Sequence, residues 1–250
     1  MKRLLLLLSF LCFGISQVNA QDNIEIGLIY VPQVTSIINF SHNDPIYQNR
    51  LTFAGATGLT FTYHFNNRFA LQTGVLYNSH NQKFKSEIPA GSETREWKGK
   101  KRLDYLKLPL VIKYSMPIDR KMSFHLYAGP QLSYLLKGEG GVVVWRNYGN
   151  STYYDLPHSS NDHYARLTID GVLGFGLDFR ITRTLTVTGG IRSDFSFTDM
   201  ENKKATYMDE PLYYYGDPNR GSSHNFTVGF LMGISYRLGG KCLTCPSQKW

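Results

Sequence analysis

Cysteine is nearly absent from this chain: three occur in 250 residues, Cys12, Cys242 and Cys245. Cys12 sits in an apolar N-terminal stretch, so at most one bridge remains, and a fold stapled by disulfides is excluded. Long apolar runs are missing too. Beyond that first stretch no segment reaches 18 consecutive apolar residues, which excludes a later transmembrane helix but leaves a crossing by strands open. Acidic residues are fewer than basic ones, 19 against 27, for a formal net charge of +8. No Gly-x-Ser-x-Gly, P-loop or dinucleotide fingerprint occurs, so the common hydrolase and nucleotide-binding classes have no support.

What is present begins with an export signal. Met1-Lys2-Arg3 is basic, Leu4 to Phe13 is apolar, and Val18-Asn19-Ala20 places small residues at the −3 and −1 positions of a cleavage site. Residues 1–20 are expected to be removed, leaving a chain from Gln21 with a net charge of +6. Leu11 stands before Cys12 where lipid attachment wants Gly or Ala, which argues against a lipoprotein.

Aromatic residues are abundant, with 17 Tyr and 15 Phe, and there are 23 Gly. Eight segments alternate with a period of two: 24–30, 53–65, 69–77, 106–114, 122–136, 165–179, 185–197 and 226–238. In the fourth, Leu106, Leu108, Leu110, Ile112 and Tyr114 share one face, and Lys107, Pro109, Val111 and Lys113 the other. Connections alternate between long (31–52, 79–102, 137–164, 198–224) and short (Asn66-Asn67, 115–121, 180–184). Asn-Asn suits a two-residue hairpin because Asn tolerates positive φ. The predicted fold is all-β, an eight-stranded antiparallel up-and-down transmembrane β-barrel spanning residues 21–240, followed by a periplasmic tail, 241–250.

Which face points inward separates a soluble barrel from a membrane one. The polar face carries Glu25, His64, Gln72, Lys107, Lys113, His125, Gln131, Asp170, Asp178, Arg192, Asp194 and Arg237, interleaved with glycines. A narrow eight-stranded lumen accommodates that mixture, whereas aromatics would crowd it. The other face is an apolar band with aromatics at both ends: Phe65, Phe69, Tyr114, Phe124, Phe179 and Tyr236 at the short-turn end, and Tyr30, Phe53, Tyr77, Tyr134, Phe195 and Phe226 at the other. Two girdles around an apolar belt match a bilayer with two interfaces. The expected location is the cell outer membrane.

Four stretches carry a family resemblance: Leu106-Lys107-Leu108-Pro109-Leu110, Tyr127-Ala128-Gly129-Pro130-Gln131, the Gly-punctuated Gly171 to Phe179, and Gly229 to Leu238. On these the chain resembles the outer-membrane β-barrel domains of PorT-like proteins of Gram-negative bacteria, over nearly all of its mature length. The resemblance implies a barrel in the outer membrane and no particular activity; the family is named for a member linked to protein secretion. Many outer-membrane barrels end on an aromatic of the last strand, whereas here Lys241 to Trp250 follow it.

Candidate chemistry follows from placement. Lys107, Lys113, Arg192 and Arg237 balance Glu25, Asp170, Asp178 and Asp194 on the luminal face, four against four, which reads as a salt-bridged plug. Cys242 and Cys245 have the spacing of a redox pair without its βαβ context, so a short disulfide or idle thiols is the reading. Asp155, His158, Asp162 and His163 lack the fixed spacing a metal site needs, and neither metal nor cofactor is expected. Tyr148, Tyr153, Tyr154, Tyr164, Tyr207, Tyr213, Tyr214 and Tyr215 cluster in the third and fourth long connections. There Tyr153, Tyr154 and Tyr213 to Tyr215 are candidates for recognising a protein or glycan.

The second long connection holds Lys83, Lys85, Arg95, Lys98, Lys100 and Lys101 against Glu87, Glu93 and Glu96, a net +3 that anionic lipopolysaccharide would attract. Nucleic acid is not an expected partner. A membrane-embedded hydrolase would hold its Ser and His on the lipid-facing surface, and those positions read as almost wholly apolar. The functional reading is therefore a non-enzymatic outer-membrane barrel with a plugged lumen and partner-binding surface loops. A small channel, a secretion-associated barrel and the hydrolase are the alternatives.

Overall fold

Period-two alternation on every long segment leaves each strand with one apolar and one polar face, and closing the sheet hides one of them. The computed structural model describes residues 23–39, 47–90, 93–139, 143–147, 150–154, 164–200 and 222–238. Eight long strands form the wall: β1 (Ile24–Asn39), β3 (Thr52–His64), β4 (Phe69–Ala90), β5 (Glu93–Pro117), β6 (Met122–Glu139), β9 (Leu167–Arg180), β10 (Leu185–Ser196) and β11 (Ser223–Arg237). Each pairs antiparallel with the next in this order, and β11 returns to β1 from Glu25↔Arg237 to Asn39↔Ser223, so the wall is closed. Closure removes the free edges that an open sheet would expose.

Register fixes the tilt. From Ile24 the pairing runs through Tyr63, Leu71, Ile112, Ala128, Leu173, Ser193 and Val228, and arrives at Val34, ten residues further along the starting strand. Such a stagger on eight strands tilts them by roughly 40° and keeps the lumen narrow enough for side chains to fill.

The apolar face is the outer one. Leu28, Leu59, Leu110, Ile112, Leu173, Phe175, Phe230 and Ile234 are all exposed, while Lys107, Gln131, Asp170, Arg192 and Asp194 are buried. Leu173 is 63% exposed and Lys107 only 2%, the reverse of a water-soluble core. Aromatic rings collect where the belt ends: Phe69 lies 5.0 Å from Tyr114 and Tyr63 5.4 Å from Phe65 at the short-turn rim, and Phe195 lies 5.8 Å from Phe197 at the other.

Several sequence expectations need correction. The stretch 79–102 is no loop: β4 and β5 stay paired from Phe69↔Tyr114 up to Ala90↔Glu93. Likewise β1 continues to Asn39, and 137–164 contains the hairpin of β7 (Val143–Asn147) and β8 (Asn150–Tyr154). A further short strand, β2 (Tyr47–Arg50), pairs with β4, and β7 pairs with β5, so a sheet β2-β4-β5-β7-β8 extends past the barrel wall. The alternation signal stops at the edge of the bilayer because outward positions beyond it need not be apolar, although the backbone ladder continues. At the opposite rim, Phe65 N–H donates to Phe69 O at 3.0 Å, leaving three residues in the turn rather than two. Asn66 Oδ1 closes it by accepting from the N–H groups of Arg68 and Phe69, each at 2.8 Å.

Candidate functional site

Inward-facing positions of the wall form two charged layers. Near the short turns, Glu25 comes from the start of β1, His64 from the end of β3 and Arg237 from the end of β11, since both chain ends of the barrel meet there. Glu25 Oε2 is 3.0 Å from His64 Nε2 and 3.5 Å from Arg237 Nη2. Beside them Lys113 Nζ is 2.8 Å and His125 Nδ1 3.1 Å from Asp178 Oδ2, and Thr188 Oγ1 donates to Asp178 Oδ1 at 2.7 Å. Two acids face two bases, so the layer is neutral when both histidines are.

The second layer lies deeper. Lys107 Nζ donates to Asp194 Oδ2 at 2.9 Å, and Arg192 Nε lies 2.9 Å from Asp194 Oδ1. Gln131 is the hub: its Oε1 accepts from Arg192 Nη2 at 2.6 Å and its Nε2 donates to Asp170 Oδ2 at 3.0 Å. Ser133 Oγ also donates to Asp170 Oδ2, and Thr168 Oγ1 donates to Asp170 Oδ1 at 3.3 Å. All eight charged residues picked out by the alternation thus face the lumen, in two groups of four: Glu25, Lys113, Asp178 and Arg237, and Lys107, Asp170, Arg192 and Asp194.

Apart from Val111, which shares the face of Lys107 and Lys113, apolar side chains inside the lumen went unread in the sequence. Ile29, Val31, Ala56, Leu76 and Leu231 cluster there, as do Val111, Tyr127 and Val172. Tyr127 fits because β9 has no side chain opposite: a Cβ on Gly174 would stand 2.2 Å from the Tyr127 ring. At the outer mouth Ile37, Leu103, Tyr105, Leu135, Tyr164 and Met200 form a third cluster. Met200 is drawn in by its backbone, with its N–H donating to Ser223 O at 3.0 Å and its carbonyl accepting from Ala165 N at 2.9 Å. Parity along β1, β4 and β5 would have marked half of these positions, had apolar residues been allowed on the inner face.

Among the described residues, one cavity of about 40 Å³ lies between the layers against Val111, His125, Tyr127 and Arg192, and another of about 40 Å³ lies at the short-turn mouth against Glu25, Lys113, Asp178 and Arg237. Each has room for roughly three waters. Beyond the upper charged layer, His80 is wholly buried, and among the described residues neither ring nitrogen has a hydrogen-bond partner; Asn78 Nδ2 and Tyr105 Oη share that condition.

One outward pair departs from the expected apolar surface. At the outer edge of β11, Ser222 Oγ and His224 Nε2 are 2.8 Å apart, and His224 Nδ1 lies 2.9 Å from Ser196 O. The His224 ring stacks on Phe195 with 5.7 Å between centroids. The sequence reading missed this pair because it began the last strand at Phe226, three residues late.

No group of metal-ligating side chains occurs among the described residues. Asp155, His158, Asp162 and His163, Tyr213 to Tyr215, Cys242 and Cys245, and the expected leader all lie outside them. Tyr153 and Tyr154 fall in β8.

A closed antiparallel barrel with a polar, charge-paired interior and an apolar exterior defines an outer-membrane β-barrel protein. The chain belongs to the outer membrane protein beta-barrel domain family, whose model matches residues 14–202, and its location is the outer membrane. No curated protein matches it. Similar solved structures include Ail, the attachment invasion locus protein of Yersinia pestis, in complex with the heparin analogue sucrose octasulfate (11% identity, covering 86% of this chain and 98% of that one, TM-score 0.37). Neisserial surface protein A (10%, 86% and 97%, 0.42) and the outer membrane protease OmpT of Escherichia coli (10%, 88% and 99%, 0.46) are also similar.

Proposed function

We propose that this protein is a non-enzymatic, filled barrel of the PorT-like kind that recognises an envelope or surface partner at its extracellular rim. The observation that carries the reading is the contrast between its two halves. Inside, among the described residues, two charge-balanced layers and three apolar clusters surround cavities of about 40 Å³. Outside, β4 and β5 run thirteen residues beyond the exposed Tyr77, from Tyr77↔Leu106 to Ala90↔Glu93, or about 40 Å at ~3.3 Å per residue. A chain whose use was conduction would need the reverse investment. The tyrosines that the sequence marks for recognition, Tyr153, Tyr154 and Tyr213 to Tyr215, support the reading, because a tyrosine offers a flat apolar face and a hydroxyl at low entropic cost.

Two measurements test the reading. In planar bilayers the protein should show no ion conductance above background, and a steady open level would return it to the channel class. A partner captured from intact outer membranes should lose at least tenfold in affinity when Tyr213, Tyr214 and Tyr215 are replaced together by Ser, since truncated aromatic anchors commonly cost about 2 kcal/mol each. Unchanged binding there and in a Tyr153→Ser, Tyr154→Ser variant would end the recognition reading.

A second reading rests on Ser222 and His224. With Nδ1–H donating to a backbone carbonyl, Nε2 is left to accept from the serine hydroxyl, the tautomer a general base requires. Such a pair on the outward surface at the edge of the leaflet would reach ester linkages of lipids.

A further inference from the structure

Three short turns lie around one mouth of the barrel, and their charges are nearly all of one sign. Residues 65–69, 118–122 and 181–185 carry Arg68, Arg120, Lys121 and Arg183 against Asp119 alone, every one of them exposed. Such a ring draws small anions toward the opening it surrounds. The cavity of about 40 Å³ just inside is basic as well. Among its described lining residues Lys113, Arg180 and Arg237 stand against Glu25 and Asp178, and Ser115, Ser123 and Thr186 add hydroxyls. Asp178 is engaged by Lys113 at 2.8 Å, which leaves Glu25 as the remaining lining acid for two arginines.

Glu25 is itself contested. His64 Nε2 lies 3.0 Å from Glu25 Oε2 and 3.1 Å from Arg237 Nη2. One ring nitrogen cannot donate to the carboxylate and accept from the guanidinium at once. When it donates to Glu25, Arg237 keeps as acceptor only Glu25 Oε2 at 3.5 Å, the outer limit of a hydrogen bond. An oxyanion in the cavity meets that unfilled demand without disturbing the His64–Glu25 contact, because a guanidinium fork matches two of its oxygens. Its charge also offsets the excess of base. Donors from β5, β6, β9, β10 and β11 surround the space, which suits a tetrahedral phosphate better than a planar carboxylate. We infer that the short-turn mouth is a binding pocket for one oxyanion of the phosphate class, clamped by Arg180 and Arg237 within a ring of hydroxyls. Room for roughly three waters admits a single such group and excludes an extended chain. The inference does not rest on the recognition reading, because it concerns the opposite mouth.

The test is titration calorimetry on the full-length protein in nanodiscs of zwitterionic phospholipid, where both mouths meet solution. The probes are inorganic phosphate, acetate and dihexanoylphosphatidylglycerol. Phosphate should bind saturably, one per barrel, and acetate at least tenfold more weakly. Arg180→Gln and Arg237→Gln should each weaken phosphate binding at least tenfold. Arg183→Gln removes the same charge from the exposed ring without lining the cavity, and should cost less than threefold. Heat-modifiable gel migration confirms folding, and if Arg237→Gln does not fold, Arg180→Gln carries the comparison. Displacement of phosphate by the soluble phospholipid would make a lipid headgroup the source, and no displacement a free phosphate; both uphold the pocket. Absence of saturable phosphate binding to the wild type, acetate binding as tightly as phosphate, or equal losses in Arg183→Gln and the pocket variants would each overturn the inference.

Discussion

Lys107 and Asp194 lie 87 residues apart in sequence, yet the lysine Nζ sits 2.9 Å from the carboxylate Oδ2 inside the barrel, with both side chains almost completely buried. Lys107 enters from β5 and Asp194 from β10, and Arg192 and Gln131 hold the same carboxylate from other sides. The pair ties opposite parts of the wall together across the lumen. Its value is conditional on balance, since an unpaired charge at this depth costs more than the intact pair contributes.

That condition yields the first expected outcome. Lys107→Met leaves the upper layer with two carboxylates against Arg192 alone and should lower stability by about 3 kcal/mol. Adding Asp194→Asn restores one charge of each sign, Arg192 against Asp170, and should recover most of the loss. Urea unfolding in lipid vesicles measures both. Equal stability of Lys107→Met and the wild type would mean that water, not side chains, fills this part of the lumen.

Packing around Tyr127 supplies the second. Gly174→Ala would set a Cβ 2.2 Å from the tyrosine ring and 2.7 Å from Ile191 O, and overpacking of this kind should cost about 2 kcal/mol. Tyr127→Leu in the same chain should return part of that, leaving the share due to the backbone contact. If the double variant is no more stable than Gly174→Ala, the ring is not what the glycine accommodates.

Topology can be read by labelling. With Cys242 and Cys245 changed to Ser, a membrane-impermeant maleimide added to intact cells should modify Thr94→Cys, which lies in the extended hairpin, and spare Asp119→Cys in a short turn. Labelling of Asp119→Cys alone would show that the barrel sits the other way round.

The Ser222–His224 pair separates the second functional reading from the first. Cells making the wild-type protein and cells making Ser222→Ala should carry the same complement of lipid acyl chains by mass spectrometry if the barrel only binds. Loss of acyl chains that depends on both Ser222 and His224 would establish ester hydrolysis at the outer edge.

The membrane-spanning part was legible in the sequence because the bilayer imposes a rule on every residue there: Leu106, Leu108, Leu110 and Ile112 had to be apolar, and Lys107 and Lys113 had to turn inward. Alternation therefore determined the eight crossings, the inverted sidedness and the identity of the luminal charges. Two things were left to the tertiary structure. Above the leaflet that rule lapses, so the continuation of β4 and β5 to Ala90 and Glu93 left no periodic trace, and only backbone pairing with β2 and β7 makes a sheet there. Inside the lumen, a period-two pattern says that Lys107, Arg192 and Asp194 share a face but not which of them meet. The ten-residue stagger of the closed ring decides that, because it sets the height at which each strand delivers its side chains to the axis.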